Sequence, residues 1–215
     1  QVNDSKESAP EVFFTRQDLG LPEKGFVFCC FNNTYKITPT TFDSWARILK
    51  NVKGSVLIIF ADNKSAKENL TKEIMLRGVK PERLIFGERL ARPEYLARYR
   101  VADLFLDTSP YNAGTTASDA LRMGLPVLTL KGNSYPSRMA ASIVSAVNLP
   151  ELITTSQQEY ESLAIELATD LEKLKIIKDK LLGNLSTAPL YDTPKFTRNL
   201  EFAYSEMYDR YQKGL

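Results

Sequence analysis

Continuous apolar runs alternate along this chain with longer stretches in which apolar residues recur every third or fourth position. The runs are Phe26–Phe31, Ser55–Ala61, Leu84–Phe86, Leu104–Leu106 and Val127–Leu130. Short runs without polar alternation predict strands buried on both faces. Between them, Phe42, Trp45, Ala46 and Leu49 mark a helix opened by Thr38 and Pro39, with proline suited to a first helical turn. Lys64 to Arg77 reads as a charged amphipathic helix ended by Gly78, and Arg92 to Arg100 as a helix with Leu96 and Tyr99 inward. Thr115 and Thr116 open a helix carrying Ala117, Ala120, Leu121 and Met123 on one face and stopped by Gly124. Further helices are expected over Pro136–Val147, Ser156–Asp170, Leu171–Leu182 and Thr193–Tyr211. Ser156 followed by Glu159 has the spacing of a capping box.

About five strands alternating with helices of ten or more residues argue for an α/β fold with a doubly wound, Rossmann-like parallel sheet. Residues 1–20 read as a mobile lead-in that ends in a turn near Gly20 and Pro22. Residues 21–192 read as the sheet domain, and 193–215 as a long C-terminal helix. A chain that starts on QVND with no folded element reads as a cut from a longer protein. In open parallel sheets, ligands sit beyond the carboxyl ends of the strands. The loops to examine are therefore Asn32–Ile37, Gly87–Arg92 and Asp107–Thr116.

Composition removes several classes of function. A net charge of +2 gives no electrostatic case for nucleic acid. No apolar run approaches the ~20 residues of a membrane span, and the polar N-terminus has no signal-peptide core. The default compartment is cytoplasmic. Cys29 and Cys30 are adjacent on an expected strand, so they read as buried thiols on opposite faces. The chain has no histidine, which excludes His-based metal sites and Ser–His or Cys–His nucleophile pairs within these residues.

The candidate chemistry lies in the three loops. Lys36 follows the first strand with Asn32, Asn33 and Tyr35; it either neutralises a diphosphate or is a solvated lysine. Arg89 and Arg92 follow the third strand. Arg92, Tyr95 and Arg98 lie on adjacent helical positions, which describes either a ligand wall or an exposed charged face. The Gly114-Thr115-Thr116 turn opens a helix whose free N–H groups suit a phosphate. Thr116 and Asp119 also fit a Thr-x-x-Asp capping pattern, with capping the favoured reading; Asp119 alternatively accepts from a ribose hydroxyl. Neither GxGxxG nor GxxxxGK[ST] is present.

Four separated segments together carry a family resemblance. They are CFNNTYKITPTTFDSWARIL, ERLARPEYLARYRVADLFLDTSPYNAGTTASDALRMGLPVLTL, SRMAASIVSAVNLPELI and PLYDTPKFTRNLEFAYSEMYDRY. They resemble the C-terminal catalytic lobe of O-linked N-acetylglucosamine transferases and their SPINDLY-like relatives, over roughly Leu19 to Tyr211. The resemblance implies the second, donor-binding half of a GT-B glycosyltransferase. It implies inverting transfer without a metal or cofactor, from a nucleotide-sugar, with UDP-GlcNAc favoured, to Ser or Thr of proteins. By position, Lys36 matches a lysine that helps the diphosphate depart, and Asn33 a donor-binding glutamine. Arg98 matches an arginine near uracil, Thr115 and Thr116 a pair on the diphosphate, and Asp119 the ribose-binding aspartate.

Three positions depart from the animal pattern. Gly114 and Tyr95 stand where histidines are expected, and Arg92 where a lysine is expected. The alternatives these departures leave open are a degenerate nucleotide-sugar-binding module and a GDP-fucose-using O-fucosyltransferase, since plant SPINDLY proteins use GDP-fucose and lack the first histidine. An epimerase of GT-B architecture is a further competitor. The family places acceptor contacts in a first lobe and in tetratricopeptide helices, neither of which lies in these residues. The resemblance further implies a bacterial source and a lobe that does not turn over alone. It also implies a terminal helix that packs back on this lobe or on the first lobe.

Overall fold

The computed structural model describes residues 3–7 and 10–215. Six parallel strands form one sheet: β1 Val27–Cys30, β2 Val56–Phe60, β3 Leu84–Gly87, β4 Leu104–Leu106, β5 Val127–Leu130 and β6 Ile153–Thr154. Their order is β3-β2-β1-β4-β5-β6, so the winding direction reverses between β1 and β4. This is the doubly wound arrangement expected from the alternation, and its crevice lies at that reversal. The sixth strand is a correction to the expected five. Two residues, paired as Thr129 with Ile153 and Leu130 with Thr154, are too few for any periodicity to register.

The strands are apolar throughout because both faces are covered. Val27, Phe28, Cys29 and Cys30 are all fully buried, as are Leu104, Phe105 and Leu106. Helices α1 Pro39–Asn51, α2 Lys64–Leu76, α3 Arg92–Ala97, α4 Thr115–Arg122, α5 Met139–Ala146, α6 Gln157–Thr169 and α7 Leu171–Leu185 flank the sheet. Trp45 packs inside, its indole N–H donating to the Tyr160 hydroxyl at 3.2 Å. The Thr38 cap accepts from Thr41 N–H at 3.2 Å. The Ser156–Glu159 box forms as its spacing predicts, with Ser156 Oγ accepting from Glu159 N–H at 3.2 Å.

Three expectations need correcting. The helix from Arg92 tightens into a 3-10 turn over Arg98–Val101, and Pro136–Arg138 is likewise 3-10 before α5 begins. Residues 1, 2, 8 and 9 of the expected lead-in lie outside the described residues, and its described part is hydrogen-bonded to the lobe. Arg122 donates to the carbonyls of Asp4 and Glu7, Arg100 to those of Pro10 and Val12, and Arg16 to that of Gly25. Arg100 and Arg122 on the body of the domain thus take lead-in carbonyls as acceptors, while Arg16 of the lead-in reaches a carbonyl of the body. Finally, the Thr116–Asp119 cap does not form. Gly114 is the N-cap of α4, without a side-chain cap bond, so Thr116 already lies inside the helix.

Helix α8, Thr193–Gln212, is anchored at its start by Thr193, whose hydroxyl donates to the Asn3 carbonyl at 2.6 Å. None of its residues is buried, and Phe202, Tyr204, Met207, Tyr208 and Tyr211 are exposed. No helix among the described residues is long and apolar enough to cross a membrane.

Candidate nucleotide-sugar site

A cleft of about 760 Å³ opens at the carboxyl ends of β1 and β4. Its walls come from all three loops singled out in the sequence. The first supplies Asn32, Asn33 and Lys36; the second Arg89 and Leu90; the third Tyr111, Asn112, Gly114, Thr115 and Thr116. A fourth, after β5, adds Tyr135, Pro136 and Met139. That loop escaped the sequence reading, although it leaves the same edge of the sheet and the topology alone would place it there.

Lys36 ends a 3-10 turn that aims its amine across the cleft. Nζ donates to the Asn112 carbonyl at 3.0 Å and lies 4.0 Å from the centre of the Tyr111 ring. The ammonium therefore sits beside the start of α4, where backbone N–H groups already favour an anion. A cation and a helix N-terminus on one wall make a surface chemically suited to an anion.

The opposite wall is built around Arg98, which is 3% exposed and so does not belong to a solvated face. Its guanidinium stacks 3.7 Å from the centre of Phe31 and 4.5 Å from that of Tyr95. One Nη donates to the Glu88 carbonyl at 3.1 Å, while Nε has no hydrogen-bond partner. Burial lowers the Arg98 pKa and raises that of the Tyr95 phenol, whose hydroxyl pairs with that of Tyr99 at 2.7 Å. Asn112 Oδ1 is likewise buried without a partner. Both orphaned atoms belong to residues that line the cleft, and buried polar groups left unpaired are costly unless a ligand or water completes them.

Arg92 and Asp119 are drawn together, but behind the cleft rather than on its lining. The Arg92 guanidinium grips Asp119 through two bonds of 2.8 and 2.9 Å and Glu7 through two more of 2.8 Å. The hydrogen bonds Arg92 donates to Asp119, and then those to Glu7, raise its pKa further. Asp119 is thus neither a helix cap nor open to the cleft, and its carboxylate is held by a side chain from another helix.

Beneath the turn lies Asp107, 2% exposed. It accepts from Thr108 N–H at 2.8 Å, Ala113 N–H at 2.7 Å, Thr129 Oγ1 at 2.7 Å and Asn32 Nδ2 at 3.3 Å. Burial raises its pKa to about 6 despite these bonds. The sequence offered one signal for it, an acidic residue closing an apolar strand.

A sequence model described as glycosyl transferase family 41 matches residues 3–200. The chain belongs to glycosyl transferase family 41. Among the relatives of this family 41 chain is a Caenorhabditis elegans protein named UDP-N-acetylglucosamine–peptide N-acetylglucosaminyltransferase. It is 35% identical over 94% of this chain and 18% of its own length. A probable UDP-N-acetylglucosamine–peptide N-acetylglucosaminyltransferase of Arabidopsis thaliana is 34% identical over 99% of this chain and 22% of its own. A solved structure of a mutant Thermobaculum terrenum O-GlcNAc transferase superposes with a TM-score of 0.84 at 34% identity. It covers 89% of this chain and 38% of that one. The chain therefore spans about a fifth of the length of these curated relatives.

Proposed function

We propose that this chain is the donor-binding lobe of a protein O-glycosyltransferase. The full protein transfers N-acetylglucosamine from UDP-GlcNAc to serine or threonine with inversion and without a metal. One observation carries the reading: the Lys36 ammonium and the start of α4 share one wall of the cleft, opposite a buried arginine stacked on two rings. Lys36 and the α4 N–H groups stabilise charge developing on the departing diphosphate. Arg98, Tyr95 and Leu90 border the nucleoside end, and Thr115 lies on the diphosphate wall. The names of the relatives support the sugar and the acceptor class. Acceptor contacts come from a first lobe and tetratricopeptide helices, α8 packs against that lobe, and the lobe alone does not turn over. The compartment is cytoplasmic.

A second reading, in which donor preference has changed, has one observation in its favour. Asp119, the matched ribose residue, is occupied by Arg92. Titration calorimetry of the 215-residue chain against UDP and GDP in the presence of EDTA separates the readings. UDP binding with weaker GDP binding is expected. A GDP preference supports the fucosyl donor, and no binding of either at millimolar concentration overturns the donor-lobe reading.

A further inference from the structure

Asn32 lies two residues beyond β1, directly behind the phosphate wall, and is 1% exposed. Its partners dictate which way its amide faces. The ionised Asp107 side chain can only accept hydrogen bonds. Thr108 spends its hydroxyl proton on the Tyr111 carbonyl at 2.6 Å, so toward Asn32 it too can only accept. Both amide hydrogens are therefore committed, to Asp107 at 3.3 Å and to Thr108 at 2.7 Å. The amide oxygen is left facing the Thr116 hydroxyl, which donates to it. A hydroxyl has one proton to give, and that of Thr116 is already used inside the protein.

We propose that Asp107, Asn32 and Thr116 form a buried relay that fixes the phosphate-binding turn from behind. In it, Thr116 is a positioning residue and not a hydrogen-bond donor to the diphosphate. The inference rests on the donor-lobe reading and refines it. Asp107 gathers the N–H groups of Thr108 and Ala113 at the two ends of the loop. Asn32 transmits that anchorage to the first turn of α4 through Thr116. Asn32 has no amide hydrogen to spare for a ligand, although it borders the cleft.

Asn32→Asp tests the relay because a protonated carboxyl copies the amide, with one oxygen donating and the other accepting, whereas the ionised form cannot. Other titratable groups facing this site are Cys30 on β1 and Tyr160 on α6, which burial pushes to high pKa. Lys36 faces the same loop and is retained in every variant. Calorimetry of the chain against UDP and uridine, with variant-to-wild-type Kd ratios taken at each pH, cancels the titration of UDP itself. At about pH 7.5 Asn32→Asp is expected to weaken UDP at least about tenfold and leave uridine unchanged, since a buried donor site has lost its hydrogen bonds. The ratio is expected to shrink toward one by about pH 5.5, as a proton becomes shared between the two carboxyl groups. Thr116→Val is expected to weaken UDP at both pH values, again sparing uridine, and Thr116→Ser to restore binding. Circular dichroism reports whether each variant is folded, and Thr116→Val carries the test should Asn32→Asp fail to fold. A pH-independent ratio for Asn32→Asp, or unchanged UDP binding in Thr116→Val, overturns the relay while the donor-lobe reading stands. Absence of UDP binding by the wild type overturns both.

Discussion

Arg92 Nη1 and Nη2 meet Asp119 Oδ2 and Oδ1 at 2.8 and 2.9 Å, a two-bond clasp between α3 and α4. Asp119 is nearly enclosed while Arg92 is about half exposed, at 4% and 46% for their side chains. The pair ties the start of α3 to α4 behind the cleft. Breaking it from the arginine side leaves a buried carboxylate without its cation, which costs more than a surface pair is worth.

Arg92→Met is therefore expected to lower unfolding stability by about 1–3 kcal/mol, the range for an incompletely buried pair that loses one partner. Asp119→Asn should cost less, because it removes the buried charge together with the attraction. Urea denaturation of both singles and the double variant gives the coupling directly. Additive effects would mean that the clasp contributes nothing to holding the two helices together.

Asp107 gives stability an unusual pH dependence. Its folded pKa lies near 6, above the ordinary carboxylate value of 3.8, because burial penalises the charged form. Between these values the folded state holds more protons than the unfolded state, so stability falls as pH rises and flattens above about pH 6. Asp107→Asn lacks this term. Its stability relative to wild type should rise by up to about 3 kcal/mol from about pH 4 to 7, at ~1.4 kcal/mol per pKa unit. Urea melts of both proteins across that range check the sign; a constant difference would refute it.

Gly25 precedes β1 with φ of +104°, and a Cβ there would lie 2.4 Å from the Gly54 carbonyl oxygen. The obstruction is backbone, so rotamer changes cannot relieve it. Gly25→Ala is expected to destabilise the domain by roughly 2–3 kcal/mol through positive-φ strain and the clash. Denaturant midpoints measure it, and Gly20→Ala is the comparison: Gly20 has a φ of +66° with open space around its Cβ, so it should cost less.

The fold was legible where physics is local. Buried parallel strands need apolar residues on both faces, so FVFCCF and SVLIIFA announced themselves, and Thr38-Pro39 and Ser156–Glu159 carried their caps in their spacing. The site was only half legible. Lys36 and the Thr115–Thr116 turn were readable because the carboxyl ends of neighbouring strands must converge. Asp119 was not, since Thr-x-x-Asp looks like a cap until an arginine from another helix takes the carboxylate. Arg98 read equally well as a solvated charge, because nothing in its own helix reveals that Phe31 from β1's end will cover it. Ile153–Thr154 joined the sheet by docking against β5, which no two-residue pattern can foretell.

Lys36 supplies the last prediction. Its amine is held by the Asn112 carbonyl and the Tyr111 face, so the charge is placed on the cleft wall before any ligand arrives. A preplaced ammonium strengthens binding of the diphosphate and not of the nucleoside. Lys36→Met keeps the aliphatic length and loses the charge and its donor. It is expected to weaken UDP binding by about tenfold or more, in the range of a lost charge-assisted bond, and to leave uridine within about twofold. Raising the salt concentration should weaken UDP binding to the wild type more than to the variant, since the lost interaction is ionic. Calorimetry with the two ligands at low and high salt measures both effects. Equal losses for UDP and uridine would mean that Lys36 supports the shape of the cleft and not the phosphate.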